Sequence, residues 1–470
     1  MKPIKSTTVT LFRSIVVLLA LLMLGWGLAP AAQANEVEIG CTVDELVNNL
    51  NFANEYPDED TLILPIGCVF ELSYPTPGIH TFLSISNDLI IEGNGATILR
   101  SSNPKNQSFR IMAISNGAKV TLRNLKFVNG YWPSDGGGAI LVADADLTLD
   151  HVTFKGNQAM FGGAVAALGG QITIHGSRFE RNSALTAVGG GLFTSVPTKF
   201  LFNTTSTTFF IDNKAKTSGG GIYSKAELMV SNGSFENNQA VDGNGGAIFV
   251  DGPLVLNRSK FIRNRAAEGL GLYLRQPDTP SQLINNLWAD NFLTAADEGS
   301  AVITVRSGVA DPAALTIAHN TISGADSAKY QAGGVFLSGV PATLRNNIIT
   351  NHFIGVNNFE SQGFITAEHN LYFANAINES GDNITSSNNL EAYPFFANPA
   401  NGDFHLRSVS PAIDAGVDVG VTRDFDFRLR PCGAGYDIGA YEFRLLGCTP
   451  PPPDPDPGVG SRVYLPLVVK

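Results

Sequence analysis

Cysteine and charge are both scarce in this sequence. Four cysteines occur in 470 residues, and charged side chains make up 16% of them. Neither cysteine pair has Cys-x-x-Cys spacing, which excludes a zinc site built on two such pairs. Positive charge is outnumbered, 31 Lys and Arg against 42 Asp and Glu, for a net charge of -11. Such a surface repels phosphate backbones, which excludes nucleic acid as the natural partner. Beyond residue 28 no apolar run is long enough to cross a bilayer as a helix, and long apolar stripes at i, i+3, i+4 are missing as well. Against these gaps stand 49 glycines and 44% hydrophobic residues, enough to bury a core while making many tight turns. The profile suits a β-rich chain of many short strands.

Residues 1–34 have the three parts of a secretory signal: basic Lys2, Lys5 and Arg13, an apolar run from Ile15 to Leu28, and Ala32-Gln33-Ala34 as a small-x-small cleavage site. Cleavage leaves Asn35 as the first residue and takes the net charge to -14, since three basic and no acidic residues are removed. The expected mature chain has no transmembrane span and sits outside a bacterial cell, secreted or on its surface. In oxidising surroundings cysteines pair by default. Cys41 and Cys68 lie near one end of the mature chain, Cys432 and Cys448 near the other. Three connectivities are open, and pairing within each end is favoured if the body is a rod that holds its ends apart.

Between Asp135 and Gly271 the chain repeats itself. A glycine cluster followed by apolar residues recurs at Gly136-Gly137-Gly138-Ala139-Ile140, Gly162-Gly163-Ala164-Val165, Gly189-Gly190-Gly191-Leu192-Phe193, Gly219-Gly220-Gly221-Ile222-Tyr223, Gly245-Gly246-Ala247-Ile248-Phe249 and Gly269-Leu270-Gly271-Leu272-Tyr273. The last glycines are 25, 28, 30, 25 and 25 residues apart. An aromatic-x-x-Asn element keeps step, from Phe154-x-x-Asn157 through Phe179, Phe210, Phe235 and Phe261 to Trp288-x-x-Asn291. The period is too short for most helical-pair solenoids. Runs such as Ala247–Val250 and Leu254–Leu256, split by Asp251-Gly252-Pro253, are instead short strands with turns between them. Two or three strands per unit make one coil of a parallel β-helix, in which equivalent positions stack about 4.8 Å apart. The aromatics then form one interior stack. The asparagines form a ladder at a turn, and the glycines mark bends with positive φ or close backbone approach.

The paired glycine and Phe-x-x-Asn elements, over roughly residues 124–291, resemble the polymorphic outer-membrane protein repeats of bacterial surface proteins. Looser strands on both sides, such as Leu89–Ile98, Val120–Phe127, Leu315–Ile322, Ala342–Ile349 and Ala367–Tyr372, resemble the general pectate-lyase-like β-helix. The expected fold is therefore all-β: a right-handed parallel β-helix over residues 76–405, on the order of a dozen coils, with a short capping helix at the amino end.

Residues 35–75 read as the amino-terminal cap and first coil. Thr42-x-x-Glu45 is a capping box, and Val43, Leu46, Val47, Leu50 and Ala53 share one helix face, with the first strand at Asp60–Pro65. The stretch Cys41–Leu72 resembles the Cys-Ser-Leu-Arg-Glu-Ala segment that precedes β-helices in exported proteins, although here it reads Cys41-Thr42-Val43-Asp44-Glu45-Leu46. Residues 406–448, with Ser410–Gly416, Asp424–Arg430 and Tyr436–Phe443, resemble the choice-of-anchor Q domain, expected to close the other end. A proline-rich spacer (449–461) and a short apolar tail of sorting type (462–470) complete the chain.

Candidate chemistry is sparse. Hydrolases of polygalacturonase type carry Gly-His-Gly, which is absent. Pectate lyases carry Trp-x-Asp-His, of which Asp150-His151 is the nearest echo and the catalytic candidate. His151, His175, His319 and His369 precede the aromatic element or its equivalent and are expected to be ladder residues. Calcium is the one candidate cofactor, with no cofactor required. Its candidate ligands are Asp144 and Asp146, expected to alternate with Asp150 along one strand, and Asp414, Asp424, Asp426, Asp437 and Glu442 near the carboxy end, where turn capping and pairing with Arg423, Arg428 and Arg430 compete. A carboxylate cluster with a basic residue across neighbouring coils, which would mark an enzyme, is not visible in the sequence. The expected role is a non-catalytic structural or adhesive rod, with extracellular glycans or cell-surface components as candidate partners; the alternative is a secreted polysaccharide lyase or hydrolase.

Overall fold

The computed structural model describes residues 36–56, 60–73, 80–103, 107–201, 206–294, 300–324, 332–359 and 363–443. The signal segment, Cys448, the proline-rich spacer and the tail lie outside the described residues.

The chain is a parallel β-solenoid of about 12 turns. Three long parallel sheets run its length: sheet I has 14 strands, sheet II 13 and sheet III 12. A fourth, sheet IV, has seven short strands and accompanies the glycine-rich repeats. One coil shows the plan. Asp146–Asp150 lies in sheet I, Thr153–Lys155 in sheet II, Gln158–Phe161 in sheet IV and Val165–Ala167 in sheet III, after which Ile172–His175 begins the next coil directly above the first strand. Strands alternate in burial, so Leu147 and Leu149 point inward while Asp146, Thr148 and Asp150 face out.

The interior is built as ladders. Phe127, Phe154, Phe179, Phe210, Phe235, Phe261 and Trp288 stack with ring centroids 5.4, 4.8, 4.3, 5.2, 4.8 and 3.9 Å apart, all fully buried. At the corner between sheets II and IV, Asn157, Asn182, Asn213, Asn238, Asn264 and Asn291 form a continuous amide ladder. Asn182 Nδ2 donates to Asn213 Oδ1 (2.9 Å) and to the Phe154 carbonyl (3.1 Å), and the neighbouring asparagines repeat the pattern. The Asn182 N–H, which donates to Asn213 Oδ1, and the Phe154 carbonyl are thereby both paired. The glycine clusters serve close approach. Gly189 adopts φ 71, and a Cβ on Gly190 would lie 2.1 Å from the Gly220 carbonyl oxygen.

The corner between sheets I and II turns through a single left-handed residue: Asn124, His151, Asn232, Arg258, Asn285, His319, Asn346 and His369 have φ between 46 and 57. Asn and His tolerate this conformation better than most side chains. Three of the four histidines expected to form one ladder occupy this row. His175 does not. It ends its strand one position earlier, in register with Asp150.

The amino end is closed by helix α1 (Val43–Glu55), whose Leu46, Leu50 and Ala53 plug the first coils. Thr42 caps it, its Oγ1 accepting from Glu45 N–H (3.3 Å) and donating to the Glu45 carboxylate (2.9 Å). Cys41 and Cys68 are disulfide-bonded across 27 residues of sequence, a loop worth about 3 to 4 kcal/mol of closure entropy. Cys432 is bonded as well. One strand was not foreseen: Glu36–Glu38 precedes the helix and pairs with Asp60–Ile63 as the edge of sheet I.

The other end differs from expectation in two ways. Parallel coiling ends at Leu390–Glu391, and Phe396–Asn398 pairs antiparallel with Asp403–Leu406, so the solenoid stops short of residue 405. The segment from Ser410 onward does not sit over the last coil but lies along the flank. Its Ala412, Ile438, Ala440 and Tyr441 pack with Ile262, Leu287, Ala289, Ile348 and Leu371, the outward side chains of sheet II. Phe427 covers Arg258 at 3.9 Å, Arg423 and Arg430 bond Asn285, and Asn346 exchanges hydrogen bonds with Val417 (2.7 and 2.9 Å). This segment therefore covers the corner row from Arg258 to Asn346.

Candidate functional site

Sheet I strands end on the outward position just before the corner. In four successive coils that position holds Glu92, Arg123, Asp150 and His175, paired in register. The coil geometry so gathers two carboxylates and two basic side chains that are 31, 27 and 25 residues apart in sequence. This corrects the expectation that no such cluster exists. Arg123 pairs with Glu92, and its Nε lies 3.9 Å from Asp150 Oδ2. Asp150 Oδ1 contacts two imidazoles, His151 Nδ1 at 2.7 Å and His175 Nδ1 at 2.8 Å. The hydrogen bond to His175, supported by that to His151, holds the Asp150 carboxyl below the usual carboxylate range even though partial burial opposes it. The far nitrogen of His151, Nε2, is 3.3 Å from Ser206 Oγ. Side-chain exposure is 32% for Asp150, 46% for His151 and 19% for His175, so the cluster is open to solvent.

The other predicted ligands do not join it. Asp146 lies on the same strand face as Asp150 but four residues away, and accepts from Gln171 N–H. Asp144 is not on that strand: it sits in the preceding turn with φ 58. Among the described residues, the one group of three or more potential ligands that converges on a common point is Asp150, His151 and His175.

The carboxy-terminal acids are consumed by the fold. Asp414 accepts from Gly435 N–H, and Asp424 accepts from the N–H groups of Arg428 and Glu442. Asp437 accepts from the N–H groups of Asp414 and Phe443. Glu442 accepts from Arg430 (2.7 Å) and from the N–H groups of Cys432 and Asp437, and both members of the Arg430–Glu442 pair have fully buried side chains. Burial, reinforced by Glu442, pushes the Asp437 carboxyl up to about 7, and burial raises Asp424 too. Asp426 is placed differently. It accepts from His405 Nε2 (2.7 Å) and Arg428 (2.7 Å), while Asp403 holds His405 Nδ1 at 2.6 Å. These bonds, that to Asp426 first, raise the His405 pKa. A cavity of about 410 Å³ opens here, lined by Asp403, His405, Leu406, Arg428, Glu442 and Phe443. His405 and Asp403 carried no sequence signal, because the cavity exists only once the flank segment has docked.

The Chlamydia polymorphic membrane protein repeat matches residues 207–225 and 232–251. These are two strand-and-corner units of the glycine-rich region. No curated protein matches the chain. Among solved structures the chain is similar to the crystal structure of pectate lyase Pel9A, at 13% identity and a TM-score of 0.39, covering 88% of this chain and 98% of that one. No helix among the described residues is long and apolar enough to cross a membrane.

Proposed function

We propose that this chain is an exported bacterial surface protein whose rod has a non-catalytic structural or adhesive role. The observation that carries the reading is the use to which its polar groups are put: interior amides form ladders, corner residues set the turns, and the carboxy-terminal carboxylates bind backbone N–H groups and arginines of their own segment. The membrane-protein repeats support a surface location. On this reading residues 1–34 export the chain, Cys41–Leu72 acts as the Cys-Ser-Leu-Arg-Glu-Ala-like start of the solenoid, 406–448 is a choice-of-anchor Q-like unit, and 449–470 is a spacer with a sorting tail. The partner is an extracellular glycan or another cell-surface component met by the outward strand faces. Calcium at the carboxy-terminal acids would have to displace their N–H and guanidinium donors, so the rod needs none there. Labelling of intact expressing cells with an antibody to the mature chain tests the location, and a glycan array tests adhesion. Exclusively cytoplasmic protein that binds no glycan or cell surface contradicts the proposal.

The lyase alternative rests on one specific observation, Arg123 beside the Asp150, His151 and His175 cluster on an open face. Asp150 would then serve as the acid–base group and Arg123 as its electrostatic partner.

A further inference from the structure

We propose that Asp150, His151 and His175 form a binding site for a borderline divalent transition ion, Zn²⁺ in its simplest form. Three donor atoms converge there, Asp150 Oδ1, His151 Nδ1 and His175 Nδ1, within 4.8 Å of one another. Two of the three are imidazole nitrogens, the ligand type that suits zinc, cobalt, nickel and copper, whereas calcium takes an all-oxygen shell. An ion 2.0–2.2 Å from each donor would spread them to about 3.4 Å apart. The carboxylate contacts of 2.7 and 2.8 Å would each lengthen by about 0.6 to 0.7 Å to reach that separation. Solvent fills the remaining position.

Three further features favour a built site over a chance contact. The His151 ring lies against Gly176, where a Cβ would come within 2.8 Å of Nε2, so the next coil leaves room for this imidazole. Ser206 Oγ stands 3.3 Å from that same Nε2, as expected of a group that orients a ligating histidine through its other nitrogen. Arg123 occupies the side of Oδ2 and is itself paired with Glu92, which leaves Oδ1 turned to the histidines and the cluster with surplus negative charge. Since His175 belongs to the coil after that of Asp150 and His151, a bound ion would tie two coils together on the outside of the rod.

The test uses the full mature chain without a histidine tag, stripped with a chelator and titrated with ZnCl₂ by calorimetry, with CoCl₂ absorption as a second readout. The variants copy residues that other coils carry at the same positions: His151→Asn, as at Asn124 and Asn232, and His175→Ser, as at Ser231. Both therefore keep the scaffold, which circular dichroism checks. The expected result is saturable uptake of a single ion with micromolar or tighter affinity and a tetrahedral cobalt spectrum. Each variant should lower the affinity at least about tenfold, while His405→Ala leaves it unchanged. Absence of saturable uptake, uptake that survives His175→Ser in full, or uptake lost on His405→Ala would overturn the proposal.

Discussion

The row of left-handed corner residues between sheets I and II has two fates along one rod. Asn124 and His151 turn the chain at φ 50 and 54 and are exposed; Asn285, His319 and Asn346 turn it at φ 54, 53 and 57 and are buried beneath the carboxy-terminal segment. The backbone task is the same, and the chemistry is decided by what covers it. Exposed His151 keeps its Nδ1 beside Asp150, whereas buried His319 accepts from Asn346 Nδ2 and is held well below the usual histidine pKa, chiefly by burial. A histidine in a coil corner is thus scaffold or ligand according to its neighbours in space.

The two regions also solve one hydrogen-bonding problem at different corners. In the glycine-rich coils the amide ladder runs from Asn157 to Asn291 between sheets II and IV. In the later coils it runs through Asn286, Asn320, Asn347, Asn370 and Asn389 between sheets I and II, with Asn320 Nδ2 donating to Asn347 Oδ1 at 3.0 Å. The aromatic stack ends at Trp288, and Ile322 and Ile349 continue its column.

Breaking either region should leave its mark there and not in the other. The largest effect is expected from Arg430→Ala. It leaves the buried Glu442 carboxylate without its cation and removes one of the two bonds that the flank segment makes to Asn285, for a loss of about 3 to 5 kcal/mol. Hydrogen exchange should rise across the flank segment and the coils from Asn285 to Asn346 while Asn157 to Asn238 stays protected. Even loss along the whole rod would erase the distinction. Phe235→Ala is the converse. Its ring is fully buried between Phe210 and Phe261, and truncation should cost about 3 to 5 kcal/mol, with exchange rising in the glycine-rich coils first. A cost under about 1 kcal/mol would remove the stack from the account.

Acid should discriminate next. His352 is buried and burial lowers its pKa to about 4, so the fold holds it neutral. Its contribution is complete above the unfolded value of 6.5 and is lost as pH falls from there towards 4, about 3 kcal/mol over the window. Asp437 acts in the opposite sense, since its raised pKa relieves a penalty as pH falls below about 7. Comparing unfolding of the wild type with His352→Gln across the window isolates the histidine: the wild type should lose stability relative to the variant on acidification, and parallel curves would contradict its neutrality. The smallest effect is expected from the amide ladders. Asn238→Ala or Asn347→Ala leaves backbone groups unpaired in its own region, at about 1 to 3 kcal/mol each.

The regular part of this molecule was legible in the sequence because its signals are local and periodic. Phe-x-x-Asn and the glycine clusters announce the stack, the first ladder and the coil, and Thr42 with Glu45 announces α1. Three things were not. The later ladder hides in Asn285-Asn286, His319-Asn320, Asn346-Asn347 and His369-Asn370, pairs that fall before the aromatic position and not after it, so the aromatic-x-x-Asn marker does not point to them. The Glu92, Arg123, Asp150 and His175 column requires the coil register, since unequal loops set the spacing. The flank docking of residues 410–443 depends on tertiary contacts with sheet II, which no local pattern encodes. Asp144 was misplaced on a strand for a smaller reason: period-2 alternation cannot show where a turn begins.

On the proposed reading the polar groups of the rod serve the fold and not turnover. The direct measurement is to incubate the purified mature chain, with and without calcium, on pectic, uronic and neutral polysaccharides, following unsaturated uronic products and reducing ends. On that reading no product rises above the background of an Asp150→Asn variant under any condition. Calcium-dependent release of unsaturated uronic products by the wild type, abolished in Asp150→Asn, would contradict it and make Asp150 with Arg123 the centre of a lyase.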